Sequence, residues 1–316
     1  MKAIGGYFEL ELRQGEHYHK DAIMLNSGRN CLEYILIARN LKRLYIPYYT
    51  CDVLLQPLKR QGVDYSFYHI DEKLDPSDYP TLAEGEAFLY TNYYGLKQRT
   101  VEELATRYHD QLIVDNAQAF YAPRIDGIDT FYSPRKFFGV PDGGCLYTDS
   151  ANDLVLEQDT TSWTRMTHLV KRIDLGPESG YQDFRDADDS LDNAPVLRMS
   201  KLTSRILESI DYQSIAEIRQ ENYMVLHEAL KSSNKLVLDL EVDAVPMVYP
   251  YLSDDAGLRQ RLIDNRVYVA RYWPNVDKWA REGSYEFFMS SEMIPLPIDH
   301  RLTTKDINRI LKIILV

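Results

Sequence analysis

LIVDNAQAF (112–120) and DTFYSPRKFFGVPDGGCLYTD (129–149) decide how this chain is read. The first is an apolar run of strand length that ends in Asp115. In an open α/β sheet, ligands bind beyond the carboxyl ends of the strands, so a carboxylate there faces a crevice. It can pair with a protonated heterocyclic nitrogen or cap the next helix. In the second stretch Lys136 sits among Pro134, Phe137, Phe138 and Pro141. An amine stripped of water by such neighbours has a lowered pKa and is a competent imine former; the alternative is an exposed lysine on a loop that ends in a Gly-Gly turn. Ser133 and Thr130 offer hydroxyls to a phosphate, and Gly143-Gly144 lets backbone approach closely before the strand CLYTD.

Outward from these two stretches, RLYI (43–46), YSFYHID (65–71), AFLYTNYY (87–94), LIVDNA (112–117) and GGCLYTD (143–149) have strand composition. Between them lie a helical stretch near 52–61, where Pro57 must sit near the first turn or kink it, and TVEELATRY (100–108), where Thr100 and Glu103 form a capping-box pattern. The alternation predicts an α/β domain with a mainly parallel mixed sheet flanked by helices. LNSGRNCLEYIL (25–36) places Ser27-Gly28-Arg29-Asn30 before an apolar helix face, which is an anion site if the backbone N–H groups are free. Residues 151–195 are polar and read as surface excursions. A helical block follows at about 198–231. MVYPYL and VYVARYW read as strands, and 254–264 and 303–314 as helices, the last capped by Thr304. The expected division is a large domain over 1–215 and a small α+β domain over 216–316.

Composition narrows the function. The 316 residues carry 36 Lys and Arg against 48 Asp and Glu, a formal charge of −12, so a nucleic-acid backbone is not the expected partner. No apolar run is long enough to span a bilayer. Three scattered cysteines and seven histidines show no zinc or disulfide spacing, so no metal is expected and a reduced, cytoplasmic setting fits. The acidic run Asp186–Asp189 reads as a solvated loop, and Arg271 as a candidate for an anionic substrate group.

Taken in order, these segments resemble the DegT/DnrJ/StrS-type sugar aminotransferases, a branch of the fold-type-I pyridoxal 5'-phosphate (PLP) enzymes. The matching motifs are Asn26-Ser27-Gly28 with Leu32, Pro47-Tyr48-Tyr49-Thr50, Tyr94-Gly95, Asp115-Asn116-Ala117-Gln118, Lys136 with Asp142-Gly143-Gly144, and Arg198-Met199-Ser200. VYVARYWP (267–274) and IPLPIDHRLTTKDINRI (294–310) resemble the family's closing segments, so the likeness spans nearly the whole chain.

The resemblance implies that Lys136 holds PLP through its amine and later moves the proton, with Asp115 on the pyridine nitrogen and Gln118 near the phenolic oxygen. Gly28 and Arg29 would offer backbone N–H groups, and Ser133 its hydroxyl, to the phosphate. Cys51 replaces the family's stacking aromatic, which passes that role to Tyr49 or Tyr48. Phe131 replaces its phosphate serine, and Val196 the Asn that reaches a neighbouring subunit. The implied reaction moves an amino group from glutamate to a keto sugar carried on a nucleotide, in a homodimer, for polysaccharide or amino-sugar biosynthesis. A different PLP reaction (a dehydratase or an amino-acid transaminase) and a non-catalytic sensor or scaffold are the alternatives.

Overall fold

A seven-stranded mixed sheet organises the first half of the chain in the computed structural model, which describes residues 4–150, 154–238 and 240–315. Its strands are β1 (Ile23–Leu25), β2 (Arg43–Pro47), β3 (Asp64–Tyr68), β4 (Glu86–Thr91), β5 (Leu112–Asn116), β6 (Asp129–Tyr132) and β7 (Gly144–Tyr147). They lie in the order β1-β7-β6-β5-β4-β2-β3. Neighbours from β3 to β6 run parallel, while β7 is antiparallel to both β6 and β1. The parallel strands need crossover connections, which helices α1 (Gly28–Ala38), α2 (Leu55–Gln61) and α3 (Gln98–Tyr108) help to supply.

Side-chain alternation divides the core between the two faces. On β5, Ile113 joins the cluster formed with Leu32, Ile35 and Leu36 of α1, whereas Leu112 and Val114 join the larger cluster on the other face. On β6, Phe131 packs on the α1 face and Tyr132 on the opposite one. Asp115 pairs in register with Phe131, and Thr91 with Asp115. Alternation therefore turns Asp115, Thr91 and Ser133 toward the α1 face.

The second half is helical: α4 (Thr167–Leu175), α5 (Tyr181–Asp189), α6 (Lys201–Glu208), α7 (Tyr212–Leu230), α8 (Leu258–Asp264), α9 (Val276–Trp279), α10 (Tyr285–Glu292) and α11 (Thr304–Ile314). A two-stranded antiparallel sheet joins β8 (Val248–Tyr251) to β9 (Ile294–Pro297). Helix α7 runs unbroken through residues 215 and 216, where the sequence suggested a division.

Four local expectations change. The polar segment 151–195, expected as surface excursions and with residues 151–153 outside the described ones, holds the two helices α4 and α5. Residues 267–273 form no regular strand, and the partner of β8 is β9. Thr100 lies inside α3 and caps nothing; its Oγ1 donates to Asp75 Oδ1 at 2.5 Å, because that carboxylate is a stronger acceptor than the helix can offer. Helix α11 is capped by Thr303, not Thr304, in a capping box with Asp306. No helix among the described residues is long and apolar enough to cross a membrane.

Candidate functional site

At the carboxyl ends of β4, β5 and β6 a cavity of about 130 Å³ opens beneath the start of α1. Ser27, Gly28, Arg29, Thr91, Asp115, Gln118, Ser133 and Lys136 all line it, so segments more than a hundred residues apart in sequence converge on one small space.

The start of α1 is built for an anion. Ser27 caps the helix, its Oγ accepting from the Asn30 N–H at 3.2 Å, which leaves the N–H groups of Gly28 and Arg29 in the unbonded first turn. Ser133 faces them: a Cβ placed on Gly28 would lie 3.5 Å from Ser133 Cβ and 3.9 Å from its Oγ. Thr130, the other hydroxyl suggested by the sequence, points to the opposite face and donates to Ile128 O at 3.1 Å. Gly143 and Gly144 permit the approach of β7. A Cβ on Gly144 would sit 2.5 Å from Ser27 O and 2.6 Å from Cys31 Sγ, and Gly143 has φ +116° with its N–H donating to Asn26 O at 2.8 Å.

This glycine turn is anchored by a buried network that the sequence did not reveal. Asp142, fully buried, accepts from Arg165 Nε at 2.9 Å and NH2 at 2.7 Å, and from the hydroxyls of Ser162 and Thr203. Arg165 also pairs with Asp159 at 2.5 Å. Two buried carboxylates thus share one guanidinium beside the cavity, in a segment whose polarity suggested only surface.

Asp115 is buried, and its Oδ1 accepts from the Ala117 N–H at 2.8 Å. No hydrogen bond within the described chain reaches Oδ2. Burial raises its carboxyl from 3.8 to about 6, against the smaller opposing effects of that hydrogen bond and of the Lys136 charge. Gln118 spends its Oε1 on the Tyr94 N–H at 3.0 Å, leaving its amide nitrogen available to the cavity. Thr91 Oγ1 is buried without a partner.

Lys136 closes a short 3-10 turn, Pro134–Lys136. Phe137 and Phe138 turn into the core, 3 % and 6 % exposed, but Lys136 itself is exposed, contrary to the expectation of an amine stripped of water. The apolar neighbours in sequence pack on the opposite side of the turn and do not cover it. Among the described residues its amine has no hydrogen bond or ion pair. Its charge acts on Asp115, on Cys51 and on Asp188.

Tyr49 does not line the cavity. It is fully buried, with its hydroxyl 3.0 Å from that of Tyr94 and its ring edge-on to Trp273, and it is Trp273, with Thr50 and Cys51, that reaches the space. Arg271, the suggested anion ligand, is committed to Asp277 at 2.6 and 2.8 Å. The Arg29 side chain turns to Gln56 and Asp192, so only its backbone remains for an anion. Asp188, expected in a solvated run, lines the cavity and pairs with Arg135 at 2.9 Å. Among the described residues no three His, Cys, Asp or Glu side chains converge as a metal site.

No family model matches the chain, and no curated protein sequence matches it either. Solved structures do. DesV from S. venezuelae, solved with a ketimine intermediate, superposes with a TM-score of 0.65 at 17% identity, covering 93% of this chain and 83% of that one. Sugar aminotransferases are among the solved structures that share this fold. A DegT DnrJ EryC1 StrS aminotransferase from Brucella abortus gives a TM-score of 0.61 at 16% identity, covering 95% and 86%. Spr1654 from Streptococcus pneumoniae, in its PMP form, gives 0.65 at 14% identity, covering 92% and 84%. The α/β architecture with its mixed sheet flanked by helices is thus the fold of these aminotransferase structures.

Proposed function

We propose that the chain is a PLP-dependent aminotransferase that passes an amino group from glutamate to a keto sugar. One observation carries this reading. An unpartnered amine, a buried carboxylate with a vacant oxygen and the free N-terminus of α1 all face a single cavity.

The residues present fit the cofactor. The first turn of α1 with Ser133 would hold its phosphate, Asp115 Oδ2 its ring nitrogen and the Gln118 amide its phenolic oxygen. When bound, PLP supplies an electron sink that acidifies the substrate bond next to the nitrogen. The chain contributes the rest. Burial makes Asp115 a better acceptor for a cationic N–H than a carboxylate in water, because each would offset the other's desolvation. Lys136, free of internal partners, has the amine that would attach the cofactor and then take a proton from the nitrogen-bearing carbon of the donor or, in the separate second half of the reaction, deliver one to that of the acceptor. Amino transfer is supported by the aminotransferase TlmJ from Streptoalloteichus hindustanus, which shares this fold, and the sugar acceptor by the sugar aminotransferase CalS13 from Micromonospora echinospora.

A homodimer belongs to the same reading. The exposed apolar side chains Ile173, Tyr181 and Phe184 on α4 and α5 support it, and sedimentation as a monomer alone would contradict it. A cytoplasmic location rests on the three unpaired cysteines. Titration with PLP tests the function. A visible absorbance band should grow to one cofactor per chain, and L-glutamate should then convert it to the amine form. A protein that stays colourless would refute the proposal.

A further inference from the structure

Lys136 and Arg135 also line a second, larger chamber of about 760 Å³ on the side of α4, α5, β8 and β9. In a chain of formal charge −12, its lining holds Arg135, Lys136, Arg172, Arg219 and Arg301 against a single carboxylate, Asp299. Asp299 is already taken by Arg301, at 2.7 and 3.0 Å, and Arg135 is balanced by Asp188. Arg172 and Arg219 have no ion pair with any described residue.

Arg219 is the more telling of the two. It is 2 % exposed, and its guanidinium donates only to main-chain carbonyls: Met247 O at 3.0 Å, Pro246 O at 3.4 Å and Phe137 O at 3.3 Å. Its Nε is buried without a partner. His168 Nδ1 and His300 Nδ1, from the same lining, are also buried and unbonded. A desolvated cation outside any ion pair is costly: burial pulls this guanidinium down to about 10, against the smaller opposing effect of the Asp299 charge, and the Phe137 ring face lies 4.7 Å from its central carbon. An arginine needed only to bolt α7 to β8 could be replaced by neutral donors at lower cost. An unmet guanidinium N–H, two unbonded imidazole nitrogens and excess positive charge in one cavity describe an oxyanion site.

We infer that this chamber binds the acid group of a substrate, carboxylate or phosphate, through Arg219 and Arg172, holding its reacting end toward Lys136. The inference deepens the aminotransferase reading and rests on it for the role of Lys136 alone. The acid could come from a dicarboxylic amino donor or from a phosphate-bearing acceptor.

The test is calorimetric titration of the PLP-loaded full chain, so that the cofactor's own phosphate position is filled, with glutarate and with pyrophosphate. At least one probe should bind, more weakly as salt rises. Arg219→Met and Arg172→Ala should each weaken it about tenfold or more, with the visible cofactor band retained. Arg172 is exposed and makes no hydrogen bond or ion pair within the described chain, so its replacement breaks neither and keeps the test open if Arg219→Met does not fold. Loss of glutarate binding assigns the site to the donor, and loss of pyrophosphate binding assigns it to the acceptor. Binding of neither probe by the coloured protein, or affinities unchanged by both variants, would overturn the inference. If no band forms while the probes still bind as described, the cofactor reading fails and the anion site stands.

Discussion

Replacing Asp115 by Asn should stabilise the cofactor-free protein, and by an amount that depends on pH. The carboxyl is raised from 3.8 to about 6 by burial, so ionised Asp115 is a liability in the folded state. The sign follows from proton linkage: between these values the native state holds the proton more tightly than the unfolded chain. Its stabilising effect is complete below pH 3.8 and is lost as pH rises through about 6. About two pKa units at 1.36 kcal/mol each give about 3 kcal/mol lost by pH 8, and about half of that by pH 5. Asn keeps an oxygen for the Ala117 N–H but never ionises, so Asp115→Asn should be more stable than wild type by about 3 kcal/mol near pH 8 and by about 1.5 kcal/mol near pH 5. Urea denaturation of both proteins without cofactor, at the two pH values, measures the gap. PLP should reverse the order, raising the midpoint of the wild type more than that of the variant. A gap that does not change with pH, or a variant less stable near pH 8, would refute the reasoning.

Three further outcomes follow from the same geometry. Gly144→Ala drives a Cβ into Ser27 O and Cys31 Sγ, and should cost about 1–3 kcal/mol in denaturant melts and weaken PLP binding by displacing the start of α1. Arg165→Met leaves Asp142 and Asp159 buried without their cation, and should cost about 3–5 kcal/mol; adding Asp142→Asn should recover part of the loss, as a double-mutant cycle will show. Asp188→Asn removes a negative charge from the cavity and frees Arg135, so PLP should bind several-fold more tightly in a fluorescence titration.

Five strands of the sheet, β2, β3, β4, β5 and β7, were legible because they carry their own signal: apolar, β-branched or aromatic runs ended by turn residues, with Asp115 at the end of one. The short β1 and β6, three and four residues long, offer no such run and were not legible. Convergence of Gly28, Asp115, Gln118, Ser133 and Lys136 followed from motif order, since parallel β4–β6 put successive strand ends side by side. What the sequence hid were contacts without a local pattern. Arg165 finds Asp142 across 23 residues of polar chain, and nothing in composition separates such a buried pair from a solvated one. The strand-like VYVARYW remains irregular, and β8 pairs instead with β9, a partner far along the chain that no local pattern names. Trp273, in that segment, was quoted only as part of a motif, although it lines the cavity that Tyr49 does not reach. The apolar neighbours of Lys136 misled for a related reason: adjacency in sequence says nothing of which side of a turn each residue faces.

The account stands or falls on which amine takes the cofactor. Borohydride reduction of the PLP-treated protein, followed by mass mapping of its peptides, should place one pyridoxyl adduct on Lys136, absent in Lys136→Ala. An adduct on a different lysine, or none at all, would contradict it.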